Sequence, residues 1–372
     1  MRIHIIGSKG IPSASIQGAG GVERHVEQIA YRLVERGHEV FVYTRTSSTY
    51  QLDQWNGVKL IKLPFFPGKN TATITHVFLA SLHVLFQKTD IIHYHGIGPS
   101  TLAWIPRLFH WKAKVVTTFH SRDWFHSKWS PFAKAYLRFG EWSTVRFPHA
   151  TIAVSHVIQV FCRNYFHKNV KYIPNGATMP GPEGVDLLHE MGLKPGEYFL
   201  GVGRLEPHKA YDVAIEAFAK VKTTKSLVIV GESVHLSEHD RVLRALAAKD
   251  PRVKLLGYQS GEPLRQIMAH AHAFVHPSRA EGLSVAIIEA MANAKLVIMS
   301  DIKENLELVD HSGLAFPVDD RDALTVAMQL VADDPEMARQ RGLRAQEVVR
   351  TSYSWDSVMK KLESFFLSLI KS

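Results

Sequence analysis

The chain is poor in cysteine, in long apolar runs and, over its first half, in carboxylates, and each shortage closes off a class of protein. A single cysteine, Cys162, cannot form an intramolecular disulfide, so a disulfide-stapled scaffold is excluded and a reducing compartment is favoured. Cys162 itself reads as a small buried hydrophobe. No apolar stretch reaches the ~18 residues of a membrane span. The longest candidate, Thr71 to Phe86, is interrupted by His76 and His83 and reads as a buried helix. The opening Met1 to Gly7 runs straight into a strand-like apolar segment, without the charged head and small-residue exit of a signal peptide. The expectation is a cytoplasmic protein, at most peripheral on the inner face of a membrane.

Carboxylates are scarce in one half only. Residues 1–180 hold 21 Lys and Arg against 8 Asp and Glu, a balance of +13, whereas the remaining residues carry −4. Basic asymmetry of this kind points to an anionic partner: membrane, phosphorylated substrate or nucleic acid. No helix-turn-helix, zinc or RNA-binding signature accompanies it, so nucleic acid is not expected.

What is present is alternation. At 372 residues two domains are expected. Strands are expected at 2–6, 39–43, 58–62, 90–95, 114–119 and 150–154, with a helix at 21–36 whose Val22, Val26, Ile29, Ala30 and Leu33 share one face. A Pro- and Gly-rich stretch from Ile173 to Pro182 reads as a linker. A second alternation follows, with strands at 198–203, 226–230, 252–256, 273–276 and 295–299. Helices fall at 208–221, 236–249, 261–270, 284–293 and 319–332. Strand and helix in alternation imply parallel sheets covered on both faces. Two Rossmann-like units in series are expected.

Candidate chemistry falls where such sheets bind ligands, at the C-terminal ends of strands. The loop after the first strand, Gly7-Ser8-Lys9-Gly10 through Gly18-Ala19-Gly20-Gly21, opens onto a helix. It would let backbone N–H groups at Gly20 and Gly21 approach a phosphate; the alternative is a flexible surface loop. Its spacing is not the compact G-x-G-x-x-G of a dehydrogenase. In Gly201-Val202-Gly203-Arg204-Leu205-Glu206-Pro207-His208-Lys209, Arg204 and Lys209 could reach one diphosphate and stabilise its charge; otherwise they are a solvated basic pair. In Pro277-Ser278-Arg279-Ala280-Glu281-Gly282-Leu283-Ser284, the backbone of Gly282, Leu283 and Ser284 would face a ligand at a helix start. Glu289 suits a ribose diol and Glu281 a sugar hydroxyl, because a carboxylate accepts two hydrogen bonds.

Here the chain resembles a known family. From Tyr198 to Ala315 it looks like the nucleotide-binding half of retaining family 4 glycosyltransferases of the GT-B type, and Pro277 to Met291 matches their paired-glutamate motif. The resemblance covers essentially the whole chain. The opening Ile5 to Pro12 with Gly20 to Arg24 is similar to enzymes that build bacterial surface polysaccharides, some of them rhamnosyltransferases. It implies a GT-B fold with a cleft between two Rossmann-like domains: 1–178 for the acceptor, 179–352 for the nucleotide sugar, and 353–372 packing back on the first. It also implies that Arg204 and Lys209 hold the diphosphate, Glu289 the ribose and Glu281 the transferred sugar. Two departures touch loop geometry: Ala210 stands where glycine is common, and Ala294-Lys295-Leu296 replaces a Gly-x-Pro.

His120, in Thr117-Thr118-Phe119-His120-Ser121-Arg122-Asp123, sits at a strand end and matches the family's strand-end histidine, which implies contact with the sugar and reacting centre. His93-Tyr94-His95 puts two imidazoles on one strand face, but the sequence shows no third metal ligand beside them. Asp320-Arg321-Asp322 sits at a helix start, where carboxylates cap. No essential metal and no cofactor are therefore expected. Five of the seven tryptophans (Trp104, Trp111, Trp124, Trp129 and Trp142) fall within 104–147, interleaved with cations such as Lys128, Lys134 and Arg138. This segment is expected to meet an anionic membrane, with packing in the core as the alternative.

The expected activity is metal-independent transfer of a hexose-type sugar from a nucleoside diphosphate to a hydroxyl of a saccharide or lipid-linked acceptor. The setting would be polysaccharide or glycolipid assembly, and the resemblance implies retention at the anomeric carbon. A sugar-nucleotide epimerase of the same fold is the alternative.

Overall fold

The computed structural model describes residues 1–16, 19–46, 52–68, 71–122, 124, 130–233, 238–309 and 312–371. Its strands are numbered here in chain order. The first sheet contains β1 (Arg2–Ile6), β2 (Glu39–Arg45), β3 (Gln54–Trp55), β4 (Val58–Leu63), β5 (Ile91–His95), β6 (Lys114–Phe119), β7 (Ala150–Ala153) and β8 (Lys171–Tyr172). Its order is β3-β4-β2-β1-β5-β6-β7-β8. Only the short β3 runs antiparallel to its neighbour. The second sheet contains β9 (Tyr198–Val202), β10 (Ser226–Val230), β11 (Val253–Leu255), β12 (Ala273–His276), β13 (Val297–Ser300) and β14 (Leu314–Phe316). It is parallel throughout, in the order β11-β10-β9-β12-β13-β14. The two Rossmann-like α/β units expected from the alternation are present.

The central strands are apolar runs with both faces covered. Tyr198–Val202 and Ile91–His95 are buried at every position, as parallel strands under two helical layers must be. From β1 the chain steps one way to β2, and from β4 through β5, β6 and β7 it steps the other way. Right-handed crossovers therefore put helix Gly21–Glu35 on one face of the first sheet. Helices Thr71–His83, Trp104–Phe109 and Pro131–Arg146 go to the opposite face.

The chain divides into two compact units, residues 1–175 with 356–372, and residues 176–355. The last helix, Trp355–Lys371, belongs almost wholly to the first unit. There Glu363 Oε1 meets His38 Nε2 at 2.8 Å, and Phe366 sets its ring edge-on to His93. Within the second unit the two segments that leave it are tied together. Ala177 N donates to Tyr353 O at 2.9 Å, and Trp355 N to Ala177 O at 3.2 Å. Among the described residues, no helix is long and apolar enough to cross a membrane.

Helix Tyr211–Phe218 is shorter than the expected 208–221, because Pro207–Lys209 forms a 3-10 turn and Ala210 adopts a left-handed backbone with φ 53°. The helix expected at 319–332 begins two residues later, at Arg321: Asp320 accepts a hydrogen bond from Ala323 N at 2.9 Å and caps Arg321–Asp333.

Candidate functional site

In the second unit, β9 and β12 are neighbours, so the loops that follow them emerge side by side. Close approach of the Tyr211 ring explains the glycines at the end of β9. A Cβ on Gly201 would stand 2.8 Å from the ring, and one on Gly203 would stand 2.9 Å from its hydroxyl. The loop then brings Lys209 to Glu281, with Nζ donating to Oε1 at 2.5 Å. The same carboxylate oxygen meets His276 Nε2 at 2.8 Å, and Ser278 Oγ stands 3.1 Å from that imidazole nitrogen. Burial pushes the Glu281 carboxyl up, but the Lys209 charge and the bonds from His276 and Lys209 outweigh it and hold the group well below the usual carboxylate range. Glu281 is thus an anion, and its charge holds the Lys209 ammonium at the strand ends.

Arg279 fastens the two loops. Its backbone N donates to His208 O at 2.8 Å, its guanidinium to Pro207 O, and Nε to Asp319 Oδ1 at 2.7 Å. Arg204 is half-buried in the β9 loop, and among the described residues no carboxylate pairs with it. Ser284 Oγ accepts from Ile287 N at 3.4 Å and caps helix Val285–Ala292. Gly282 and Leu283 are buried just before this helix, and Glu289 sits half-buried on it. Asp322 is paired with Lys220 at 2.7 Å and Asp320 is the helix cap, so both carboxylates of that motif are already engaged.

In the first unit, His93 and His95 point to the same face of β5, and Thr118 and His120 follow the same alternation at the end of β6. His95 Nδ1 stands 3.0 Å from His120 Nε2, and His93 Nε2 stands 2.7 Å from Thr118 Oγ1. His25, on helix Gly21–Glu35, packs its ring edge-on to His120 with centroids 4.9 Å apart. Burial lowers all four: His25 to about 4, His93 to about 3, and His95 and His120 well below the ordinary histidine value. The cluster is neutral at pH 7, able to donate or accept hydrogen bonds but not poised as a charged acid.

The glycine loop is held by Glu23, whose Oε2 accepts from Gly20 N at 2.8 Å and Oε1 from Lys9 N at 3.2 Å. The Gly20 N–H is therefore already bonded within the chain. Gly21 has nothing within 4 Å of where a Cβ would stand, and Gly18 lies outside the described residues.

This arrangement can be set beside known proteins. Residues 19–178 match the family model described as Glycosyltransferase Family 4, and residues 196–334 the model described as Glycosyl transferases group 1. The phosphatidyl-myo-inositol mannosyltransferase of Mycolicibacterium smegmatis is 24% identical, over 92% of this chain and 89% of its own length. The chain belongs with the GT-B glycosyltransferases. Among solved structures, sucrose-phosphate synthase from Thermosynechococcus elongatus superposes with a TM-score of 0.87 at 21% identity, covering 100% of this chain and 99% of its own. Anabaena HepE in complex with UDP gives 0.78 at 20% identity, over 99% and 100%.

Two details of the sequence reading change in the structure of this glycosyltransferase. The sequence shows no third imidazole beside His93 and His95, yet the fold supplies two. His25, His95 and His120 each have a ring nitrogen within 4.8 Å of the others. The signal was available: His25 lies on the apolar stripe of its helix, one residue before Val26, where a polar side chain must find buried partners. The membrane segment also divides. Trp104, Trp111 and Trp142 are exposed, but Trp124 donates its indole N–H to Glu141 Oε1 at 2.9 Å and lies under the Arg138 guanidinium at 4.1 Å. Asp123, Lys128 and Trp129 fall outside the described residues. Cys162 is buried, and burial pushes its thiol up to about 12, as suits an inert core residue.

Proposed function

We propose that this glycosyltransferase moves a hexose-type sugar from a nucleoside diphosphate to a hydroxyl of a saccharide or lipid-linked acceptor, in polysaccharide or glycolipid assembly, with retention at the anomeric carbon. The observation that supports this most is the Lys209–Glu281–His276 cluster at the ends of β9 and β12, with Arg204 in the same loop as Lys209. An ammonium held by a buried anion retains donors for a diphosphate, and Arg204 adds a second cation for the charge that grows as the sugar–phosphate bond breaks. The backbone at Gly282 to Ser284 and the Glu289 carboxylate suit the rest of the nucleotide. The UDP in HepE fits a nucleotide donor, and the name of the mannosyltransferase relative fits a lipid-borne acceptor.

In this reading His120 meets the sugar as a neutral hydrogen-bonding group, and no metal is required because Arg204 and Lys209 supply the positive charge. A panel of sugar nucleotides, screened for thermal stabilisation and for hydrolysis, tests the donor. Product anomeric configuration by NMR tests retention. Conversion of the donor sugar without an acceptor would favour the epimerase instead. Chelator leaves the rate unchanged if the cations suffice. A loss restored by Mn²⁺, Mg²⁺ or Zn²⁺ would overturn metal independence, with Zn²⁺ pointing to the imidazole cluster.

A further inference from the structure

The helical layer over β5 to β7 carries an outer surface that is both apolar and basic. Thr71–His83 packs on Ile97–Ser100 and on Trp104–Phe109, and Ile97–Ser100 packs on Pro131–Arg146, so the layer is continuous. Phe78, Phe86, Leu108, Phe109, Trp111 and Trp142 all stand exposed on it, Phe86 and Trp111 by more than four-fifths of their surface. The exposed charges are of one sign. Lys88, Arg107, Lys112, Arg138 and Arg146 face solvent, whereas Asp90 is half-buried, with Oδ2 accepting from Arg2 N, and Glu141 is buried under Arg122. Among the described residues from 71 to 149, no carboxylate is exposed. A monomeric surface that gathers this many large apolar side chains marks a contact site. A second copy would bring the same cations against themselves, which leaves an anionic partner with an apolar interior.

We propose that this face docks on an anionic lipid bilayer, with Trp111, Phe109 and Leu108 entering the headgroup boundary and Arg107 and Lys112 meeting lipid phosphates. Aromatic rings settle at that depth, and cations gain from the surface potential. The proposal sharpens the lipid-linked acceptor reading by naming the docking residues, yet it rests on the exposed face and not on the donor site.

The test is co-sedimentation with phosphatidylcholine vesicles, with and without phosphatidylglycerol, at low and high salt. The proteins are wild type, Leu108→Ser/Phe109→Ser/Trp111→Ser, and Arg107→Glu/Lys112→Glu. Circular dichroism checks that each variant folds, and UDP binding reports on the donor site separately. The expected result is binding to phosphatidylglycerol vesicles that weakens with salt and falls ~10-fold or more in each folded variant, with UDP binding unchanged. Absence of vesicle binding, or binding insensitive to lipid charge and to both sets of substitutions, overturns the proposal. So does a wild-type dimer, by light scattering, that the apolar substitutions dissolve. Vesicle binding without UDP binding would sink the donor-site reading and leave the docking face standing.

Discussion

Lys209 and Arg204 lie in one loop but have different neighbours, and their substitutions should separate accordingly. Arg204 pairs with no described carboxylate, so Arg204→Ala should cost turnover, roughly 10²-fold in kcat, while leaving the unfolding temperature in place. Lys209→Ala should cost both, because among the described residues it leaves His276 as the remaining ion-pair partner of Glu281 and raises the carboxyl pKa. Glu289→Ala should weaken nucleotide binding by ~1–3 kcal/mol with little change in kcat. Steady-state kinetics and thermal unfolding on the three variants decide the matter. Full rate and affinity in all of them would move the site elsewhere. The types of these residues were legible because charged groups at glycine-rich strand ends stand out. The partner that orders Glu281 was not: His276 lies inside the β12 strand run, where it reads as part of the strand rather than as a side chain aimed at the loop.

The connecting turns explain both departures from the family pattern. Ala210 has φ 53° and Ala294 φ 55°, so each alanine occupies a left-handed turn that glycine enters freely. At Ala294 the bonds from Lys295 N to Ala290 O and from Ala294 N to Met291 O, both 3.0 Å, close helix Val285–Ala292 in a Schellman turn. An alanine there costs ~1–2 kcal/mol, while glycine adds ~0.4–1 kcal/mol of unfolded-state entropy. Ala294→Gly should therefore stabilise the protein by about 0.5–1 kcal/mol, measured by denaturant unfolding, whereas at Ala210, buried in the core, loss of a packed methyl worth ~0.8 kcal/mol offsets the gain; a loss of stability in Ala294→Gly would contradict the strain. Elements with a clear apolar stripe were legible almost to the residue, β10 and helix Gly21–Glu35 among them. Helix Pro335–Val348 was not, since its buried positions are Ala338, Gly342 and Ala345. A Cβ on Gly342 would stand 2.0 Å from Ala294 O, so this helix packs by smallness and shows no hydrophobic period. Strands β8 and β14, of two and three residues, are too short for any periodicity to register.

At the scale of the molecule, histidine burial among the described residues is concentrated in the first unit, and acid should find it there. His4, His25 and His76 are buried and lowered to about 4. The unfolded chain takes up these protons below about 6.5, the folded chain only near 4. Their contribution is therefore complete above pH 6.5 and is lost as pH falls toward 4, by up to roughly 3 kcal/mol each. Urea titrations from pH 7.5 to 4.5 should show a falling midpoint; a flat profile would mean that water reaches these rings. Deleting residues 356–372 should likewise harm the first unit rather than the second, because it removes Glu363 from His38 and Phe366 from His93. Limited proteolysis of that truncation should leave 176–355 as the protected fragment. During synthesis this layout inverts the usual order, in which the amino-terminal half folds first. The second unit is one unbroken stretch and is complete once residue 355 has left the ribosome. The first unit, begun earlier, waits for helix Trp355–Lys371, so it stays unfinished until that helix has emerged, and only then does Phe366 reach His93.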